Sequence, residues 1–146
     1  MPSVTLIADA VYAAIAEAAT TLRPDVAAAL EAAVTAEPSA RGREVLRQLL
    51  DNAGIASRDR VPLCQDTGTV WVWVELGERE CLDGDLRAAI DGAVARSYRD
   101  HALRMSVVRD ALGDRTNTGD NTPAFLDVTL RPGTGATVHV MLKGGG

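Results

Sequence analysis

The first third of the chain alternates apolar and polar positions with the period of a helix. In residues 4–19 apolar side chains recur every three or four positions, as on one face of an amphipathic helix. A second helix is predicted over 23–37, where Pro24 stands early enough for its missing N–H to cost little. Residues 38–58 predict a third, with a stop signal in the Asn-Ala-Gly at 52–54. The N-terminal part is therefore predicted to be a helical layer.

The remainder of the chain changes to the pattern of strands with one intervening helix. Residues 69–76, TVWVWVEL, have the β-branched and aromatic density of a strand, and since both alternating faces are apolar we expect it to be covered on both sides. A helix is predicted over 83–101. Two shorter strands, around 124–132 and 136–144, are joined by the turn-rich RPGTGA and are expected to pair as a hairpin. The predicted fold class is α+β, an N-terminal helical layer followed by a small sheet with a packing helix.

Composition and charge narrow the kind of protein and its partners. With 47% hydrophobic residues, a chain of 146 residues can bury a core and is not disordered. A net charge of −5 argues against nucleic acid or an anionic membrane as the main partner, and we predict neither a signal peptide nor a membrane span. The two cysteines are interpreted as thiols in a reducing compartment. We expect a cytoplasmic protein in which basic groups can still cluster around an anionic small substrate.

The segment PLCQDTG, residues 62–68, places a cysteine beside an amide and a carboxylate just before the predicted buried strand. Cys64 alone is open to four interpretations: a small core residue, half of a disulfide, a nucleophile or a metal ligand. A nucleophilic cysteine needs a histidine, and neither His101 nor His139 has a partner arrangement readable from sequence. A thiolate ligand suits iron–sulfur or zinc, but a four-thiolate site needs more cysteines than this chain has. Only a cluster with an open iron, or ligands from outside this segment, would fit.

Three more segments carry candidate chemistry, each with a plainer alternative. Gln65 and Asp66 are either turn residues or a hydrogen-bond donor and a proton-transfer carboxylate. Arg104, in LRMSVV, is either a solvated residue at a helix end or a bidentate partner for a substrate carboxylate. The loop NTGDNTPA, residues 117–124, is in isolation typical of Asx and glycine turns. KGGG, residues 143–146, departs from the Walker spacing, but such glycines often form a turn whose N–H groups face a ligand.

Taken together and in this order, these segments resemble one enzyme family. PLCQDTGTVWVWVELG, LRMSVV, NTGDNTPAFLDV and VMLKGGG closely resemble the iron-dependent hydro-lyases, which are the class I fumarases and the α subunits of the L(+)-tartrate dehydratases. The resemblance runs from the N-terminal helices to the last residue. It implies the N-terminal domain of a class I fumarase, with a [4Fe-4S] cluster held by three cysteines and one iron open to substrate.

The resemblance also implies roles for particular residues. Cys64 would be one cluster ligand, while Cys81 matches none of the family's ligands. Gln65 and Asp66 would face the substrate, Asp66 also taking part in proton transfer, and Arg104 would bind a substrate carboxylate. The glycines that line the pocket through their backbone N–H groups would be Gly144, Gly145 and Gly146. The implied reaction is reversible hydration of a small dicarboxylate, fumarate to malate or tartrate to oxaloacetate.

In this family the remaining ligands and part of the pocket come from later sequence. We therefore expect residues 1–146 to be the N-terminal part of the hydro-lyase α domain, truncated at the KGGG segment. The expected partners are a small dicarboxylate and a C-terminal domain or β subunit, in a homo- or hetero-oligomer. The alternative hypothesis is a truncated, non-catalytic domain that binds a dicarboxylate or another subunit.

Overall fold

The computed structural model describes residues 3–145 and contains four helices and three strands. The elements follow one another as α1 (Val4–Thr20), α2 (Pro24–Ala36), α3 (Ala40–Asp59), β1 (Thr69–Gly77), α4 (Leu86–Asp100), β2 (Phe125–Arg131) and β3 (Ala136–Lys143). The predicted α+β class is confirmed. The chain divides into two compact units, one made of residues 1–18 and 65–146 and the other of residues 19–64.

The helix ends follow their capping residues. Ser39 begins α3 by accepting a hydrogen bond from the backbone N–H of Gly42, and Asp85 begins α4 by accepting one from Ala88. Pro24 occupies the first turn of α2, as expected. These local signals are why the predicted starts of the helices lie close to the observed ones.

The predicted stop of the third helix is wrong. The helix α3 continues through residues 52–54 to Asp59 and ends at Arg60, whose left-handed backbone (φ 55°) lets its N–H bond the carbonyl of Ala56. The Asn52 side chain does not cap the helix but donates to the carbonyl of Leu63. A single glycine within a helix lowers its stability without ending it, so Gly54 is accommodated in the interior of α3.

The three strands form one mixed sheet in the order β2-β1-β3, with β1 parallel to β2 and antiparallel to β3. The predicted β2–β3 hairpin is therefore wrong, because β1 lies between the two strands. The chain at the end of β1 is hydrogen-bonded to both ends of the connection between β2 and β3: the Gly77 N–H donates to Gly135 O, and the Glu78 N–H donates to Arg131 O. The most apolar strand thus takes the centre of the sheet, where both of its edges are paired.

One face of β1 is buried and the other is partly open. The large buried side chains of β1, α1 and α4 include Val70, Val72, Val74, Leu76, Ile7, Val11, Ile15, Ile90, Val94 and Tyr98. On the other face Trp71 is half-buried and Trp73 is exposed, so the expectation of a strand covered on both sides is wrong for the described chain. There the Trp71 and Phe125 rings stack with centroids 4.4 Å apart, so that each covers part of the other.

One segment, Val4–Ala36, is long and apolar enough to cross a membrane by length and composition alone. In the structure it is two helices, α1 and α2, separated by residues 21–23. The apolar face of α1 is buried in the protein core through residues such as Ile7, Val11 and Ile15. Packing within the protein accounts for the apolar residues on this face of α1, whereas Leu6 is exposed.

Candidate active site

The turn before β1 holds the Asp66 carboxylate between two backbone donors. Its Oδ1 accepts from the N–H of Gly68 at 3.0 Å, and its Oδ2 accepts from the N–H of Gly145, just beyond β3, also at 3.0 Å. These two bonds, together with the positive charge of Arg104, hold the pKa of Asp66 below its usual range. Asp66 is therefore a carboxylate at neutral pH.

Two glycines allow the turn to approach the end of β3 this closely. Gly68 has a φ of +66°, and a Cβ placed there would lie 2.3 Å from the backbone oxygen of Lys143. A Cβ on Gly144 would lie 3.0 Å from Oδ2 of Asp66. A side chain at position 68 would be strained in both respects, so glycine is required there.

The same turn is anchored from behind by two hydroxyl groups. Tyr98, fully buried on α4, donates to the carbonyls of Thr67 (2.7 Å) and Gly68 (3.2 Å). Burial raises the pKa of Tyr98 to about 12, and the nearby Asp66 charge acts in the same direction, so the phenol remains a donor at neutral pH. The Thr67 hydroxyl in turn donates to the backbone carbonyl of Arg104 at 2.7 Å.

Arg104 lies in a long connection that depends on side-chain hydrogen bonds for its shape. Residues 101–124, all of which the structure describes, contain no helix or strand, apart from an isolated bridge between Val108 and Asn117. The Asn117 side chain donates to the carbonyl of Met105, and the Asn121 side chain accepts from the N–H groups of Ser106 and Val107. The NTGDNTPA loop therefore supports the segment that carries Arg104.

These groups surround one open pocket of about 440 Å³. It is lined by Asp66, Gly68, Thr69, Trp71, Arg104, Ser106, Phe125, Lys143, Gly144 and Gly145. Two cations, Arg104 and Lys143, thus share the pocket with a single carboxylate, although the whole chain is acidic. Among residues 3–145, the Ser106 Oγ is buried without a hydrogen-bond partner. A small anion with several oxygens would complement this lining.

Comparison with known proteins identifies the family. The sequence model described as fumarate hydratase (fumerase) matches residues 8–146. The chain belongs to this family. The resemblance inferred from CQDTG, LRMSVV, NTGDNTPA and KGGG is thereby confirmed.

Individual relatives include both enzymes that the motifs suggested. Fumarate hydratase 2 of Leishmania major is 38% identical over 111 residues, which is 75% of this chain and 20% of that protein. The aerobic class I fumarate hydratase of Escherichia coli is 34% identical over 113 residues, again 75% and 20% of the two chains. The α subunit of an Escherichia coli L(+)-tartrate dehydratase is 30% identical over 129 residues, covering 87% and 43%. The chain spans from a fifth to less than half of these relatives' length.

Within this fumarate hydratase family member, the structure brings some of the predicted site residues together. Asp66, Arg104, Gly144 and Gly145 lie on one pocket, but the N–H of Gly145 is donated to Asp66 rather than left for a ligand. Gln65 is exposed and precedes the pocket turn. Gly146 lies outside the described residues. The catalytic and binding roles of these residues stay predictions.

Sequence reasoning missed several residues that line the pocket. Lys143 was considered only as part of a phosphate-type loop, and Ser106 stood unremarked inside LRMSVV. Trp71 and Phe125 were assigned to strands, and both form a wall of the pocket. Only the position of these residues at predicted strand ends could have indicated them. Lys143 ends β3 and Phe125 begins β2, and both strands are neighbours of β1.

The residues of this chain do not by themselves fit an iron–sulfur cluster. Cys64 and Cys81 are both exposed, and residues 3–145 contain no group of three or more histidine, cysteine, aspartate or glutamate side chains placed to hold a metal ion. Cys64 ends the unit of residues 19–64 and precedes Gln65 in sequence. An accessible thiol is a suitable iron ligand, but one thiol is not a cluster site.

Proposed function

We propose that this chain supplies one wall of the active site of an iron–sulfur hydro-lyase that adds water to, or removes it from, a small dicarboxylate. The observation that carries the proposal is the pocket in which a fixed carboxylate, Asp66, stands with two cations, Arg104 and Lys143. A four-carbon dicarboxylate presents two anionic ends and a reacting centre between them. The family's fumarate hydratases and tartrate dehydratases are hydro-lyases, which favours this chemistry.

Each polar group in the pocket then has a separate task. Arg104 binds one substrate carboxylate through its planar fork, and Lys143 attracts the other by charge. Asp66 accepts or returns the proton at the carbon next to the hydroxyl-bearing one, since its low pKa leaves it deprotonated between turnovers. Gln65 donates a hydrogen bond to a substrate oxygen, and Gly144 and Gly145 line the pocket without side chains. The role proposed for Gly146, to line the pocket through its backbone N–H, concerns a residue outside the described part of the chain.

The cofactor and the rest of the protein belong to the same proposal. We propose a [4Fe-4S] cluster with Cys64 as one ligand and the other ligands from outside residues 1–146. The missing part would be a C-terminal domain or a β subunit, because the name of one relative is that of an α subunit and all three relatives are far longer than this chain. An oligomer in the cytoplasm is the assembly we expect.

The test uses the complete protein, or this chain joined by its partner, purified and reconstituted with iron and sulfide without oxygen. Fumarate, L-malate and L(+)-tartrate are offered separately, and kcat and KM are measured for each. Arg104→Lys keeps the charge but loses the fork, so kcat/KM should fall about ten- to a hundredfold, as expected for a lost charge-assisted bond. Arg109→Lys, an exposed arginine five positions away that does not line the pocket, is the matched control.

Three outcomes would argue against the proposal in different ways. Equal kinetics for Arg104→Lys and Arg109→Lys would remove Arg104 from the substrate site. Binding of dicarboxylates without turnover in the complete protein would favour the alternative of a non-catalytic binding domain. Neither binding nor turnover of any of the three acids would reject the hydro-lyase function altogether.

A further inference from the structure

Asn121 is a buried polar residue in a strained backbone position. It is completely inaccessible to solvent, and its φ of +61° lies in the left-handed region. Asparagine is one of the few non-glycine residues that adopt this region readily. Burying an amide is unfavourable unless its hydrogen bonds are made, so the contacts of this side chain show what it does.

The Asn121 amide joins the two segments that carry the charged groups of the pocket. Its Oδ1 accepts from the N–H of Ser106 at 2.7 Å and from that of Val107 at 3.2 Å. Its Nδ2 donates to the carbonyl of Gly68 at 3.1 Å. One side chain therefore ties the segment just after Arg104 to the turn just after Asp66. We call this set of three bonds the Asn121 bridge.

The bridge matters because few other contacts fix Arg104 relative to Asp66. The segment carrying Arg104 belongs to no helix or strand, and the other hydrogen bond that joins it to the turn is the one from Thr67 Oγ to Arg104 O. The Gly68 carbonyl that accepts from Asn121 also accepts from Tyr98, while the Gly68 N–H donates to Asp66. A shift of the Gly68 backbone would therefore move the Asp66 carboxylate.

We propose that Asn121 is a positioning residue, which sets the separation and orientation of Arg104 relative to Asp66 and thereby the affinity of the pocket for a dicarboxylate. The identity of the ligand rests on the proposed function, whereas the bridge itself does not. The Asn121 side chain is fully buried and is not among the residues that line the pocket, so it does not contact a bound ligand directly. Its effect on substrate is exerted through Arg104 and Asp66.

A simpler interpretation is that asparagine is present only because the backbone needs a residue that tolerates positive φ. Asn121→Gly separates the two interpretations, because glycine adopts this backbone at least as readily but removes all three bonds. Asn121→Asp keeps an acceptor for the Ser106 and Val107 N–H groups, loses the donation to Gly68 and adds a buried carboxylate, so it is compared by amide exchange only. Ala102→Gly, at another positive-φ position (φ 52°) on an exposed residue, controls for the added glycine.

The experiment measures hydrogen exchange and kinetics on the complete, anaerobically reconstituted protein. In Asn121→Gly the Ser106 and Val107 amides should lose protection by about tenfold or more, while Asn121→Asp should retain most of it. KM for fumarate or malate should rise by about tenfold in Asn121→Gly with a smaller change in kcat. Ala102→Gly should match the parent protein in both measurements.

Amide exchange tests whether the Asn121 bridge exists, and KM tests whether the bridge positions Arg104 and Asp66. Unchanged protection of the Ser106 and Val107 amides in Asn121→Gly would overturn the bridge. Lost protection with unchanged KM would overturn the positioning role. If the parent protein neither binds nor converts a dicarboxylate, the proposed function fails, and the exchange data still decide whether the bridge exists. If Asn121→Gly does not fold, Asn121→Ser decides in its place, because it adds no charge and its single hydroxyl cannot make all three bonds, so it should raise KM and lower the protection of the Ser106 and Val107 amides.

Discussion

At the scale of single residues, Tyr98 links the core to the pocket turn and gives a pH-dependent prediction. Its folded-state pKa, about 12, lies above the value of 10.0 for ordinary tyrosine. The phenol therefore ionises first in the unfolded chain, so its stabilising contribution is complete below pH 10 and is lost as the pH rises through 12. Tyr98→Phe should lower the free energy of unfolding by about 1–2 kcal/mol at pH 7 through the lost hydrogen bonds.

The Tyr98→Phe variant should also lose less stability than the parent between pH 10 and 12, as measured by denaturant unfolding at each pH. Tyr12→Phe is measured in parallel, because the pKa of Tyr12 is also raised, by burial and by the bond of its hydroxyl to Asp100, and Tyr12 should account for pH dependence that remains in Tyr98→Phe. Parallel stability curves for Tyr98→Phe and the parent across this interval would contradict the assignment.

Gly68 provides a second prediction at this scale. Gly68→Ala should destabilise the protein by more than about 2 kcal/mol, since alanine there meets both the left-handed backbone and the Lys143 carbonyl. Gly119→Ala is a matched control with a φ of +79° and no atom near the added Cβ. It should carry only the backbone cost of about 1–2 kcal/mol. Equal decreases in the free energy of unfolding for the two variants would show that the turn at Gly68 is not in close contact with the end of β3.

At the scale of elements, α3 offers a stabilising change. Gly54 lies in its interior with a helical backbone, is exposed, and has nothing within 4 Å of an added Cβ. Gly54→Ala should therefore raise the free energy of unfolding by about 0.5–1 kcal/mol, as measured by denaturant unfolding. Gly92→Ala in α4, which is also exposed and unobstructed, should give a similar gain. A loss of stability in Gly54→Ala would mean that the helix is interrupted there, as the sequence had suggested.

The fluorescence of Trp71, on the central strand β1, can be used to detect ligand binding in the pocket. Trp71 and Trp73 lie on the same face of β1, but only Trp71 is among the residues that line the pocket with Arg104 and Asp66. Addition of succinate or fumarate should change tryptophan fluorescence in Trp73→Phe, and should leave it nearly unchanged in Trp71→Phe. A signal that follows Trp73 instead would place the anion in the neighbouring groove beside Arg87.

The helices and strands could be predicted from this sequence, whereas the order of the strands in the sheet could not. Apolar periodicity located α1 and α4 to within a few residues, because Val4–Thr20 and Leu86–Asp100 each have one regular apolar face. The insertion of β1 between β2 and β3 depends on pairings between distant parts of the chain, and the turn at 132–135 resembled a hairpin connection locally. The predicted helix end at Gly54 was wrong for a similar reason, because tertiary contacts decide whether a helix continues through a glycine.

The candidate site was predictable only where a motif carried it. Asp66 and Arg104 were expected at one site through the family resemblance, and the structure places both on one pocket. Lys143 and Ser106 could not be assigned beforehand, because their position depends on the sheet order and on the path of the 101–124 connection. The bridging role of Asn121 was equally invisible, since in sequence it is one more polar residue in a loop rich in them.

At the scale of the whole molecule, the charges are distributed unevenly in a way that suits an anionic substrate. The chain carries a net charge of −5, yet Arg104 and Lys143 share a pocket with one carboxylate. Acidic surroundings disfavour polyanions such as nucleic acid, while a local pair of cations still selects a small dianion. The pocket is also open, and the chain covers only 20% to 43% of the relatives' length. We expect the remaining surface of the site to come from residues outside this chain.

The cysteines give the sharpest test at this scale. In the complete protein, reconstituted without oxygen, Cys64→Ser should abolish the broad visible absorbance of an iron–sulfur centre, because serine cannot supply the thiolate. Cys81→Ser is the matched control: Cys81 is equally an exposed thiol but has no counterpart among the family's ligands, so its replacement should leave iron content and absorbance at the parent level. Since the readout is the bound iron, it does not depend on which dicarboxylate is the substrate. Full iron content in Cys64→Ser would show that Cys64 is not a cluster ligand, and loss of iron in Cys81→Ser would make Cys81 a ligand of this chain.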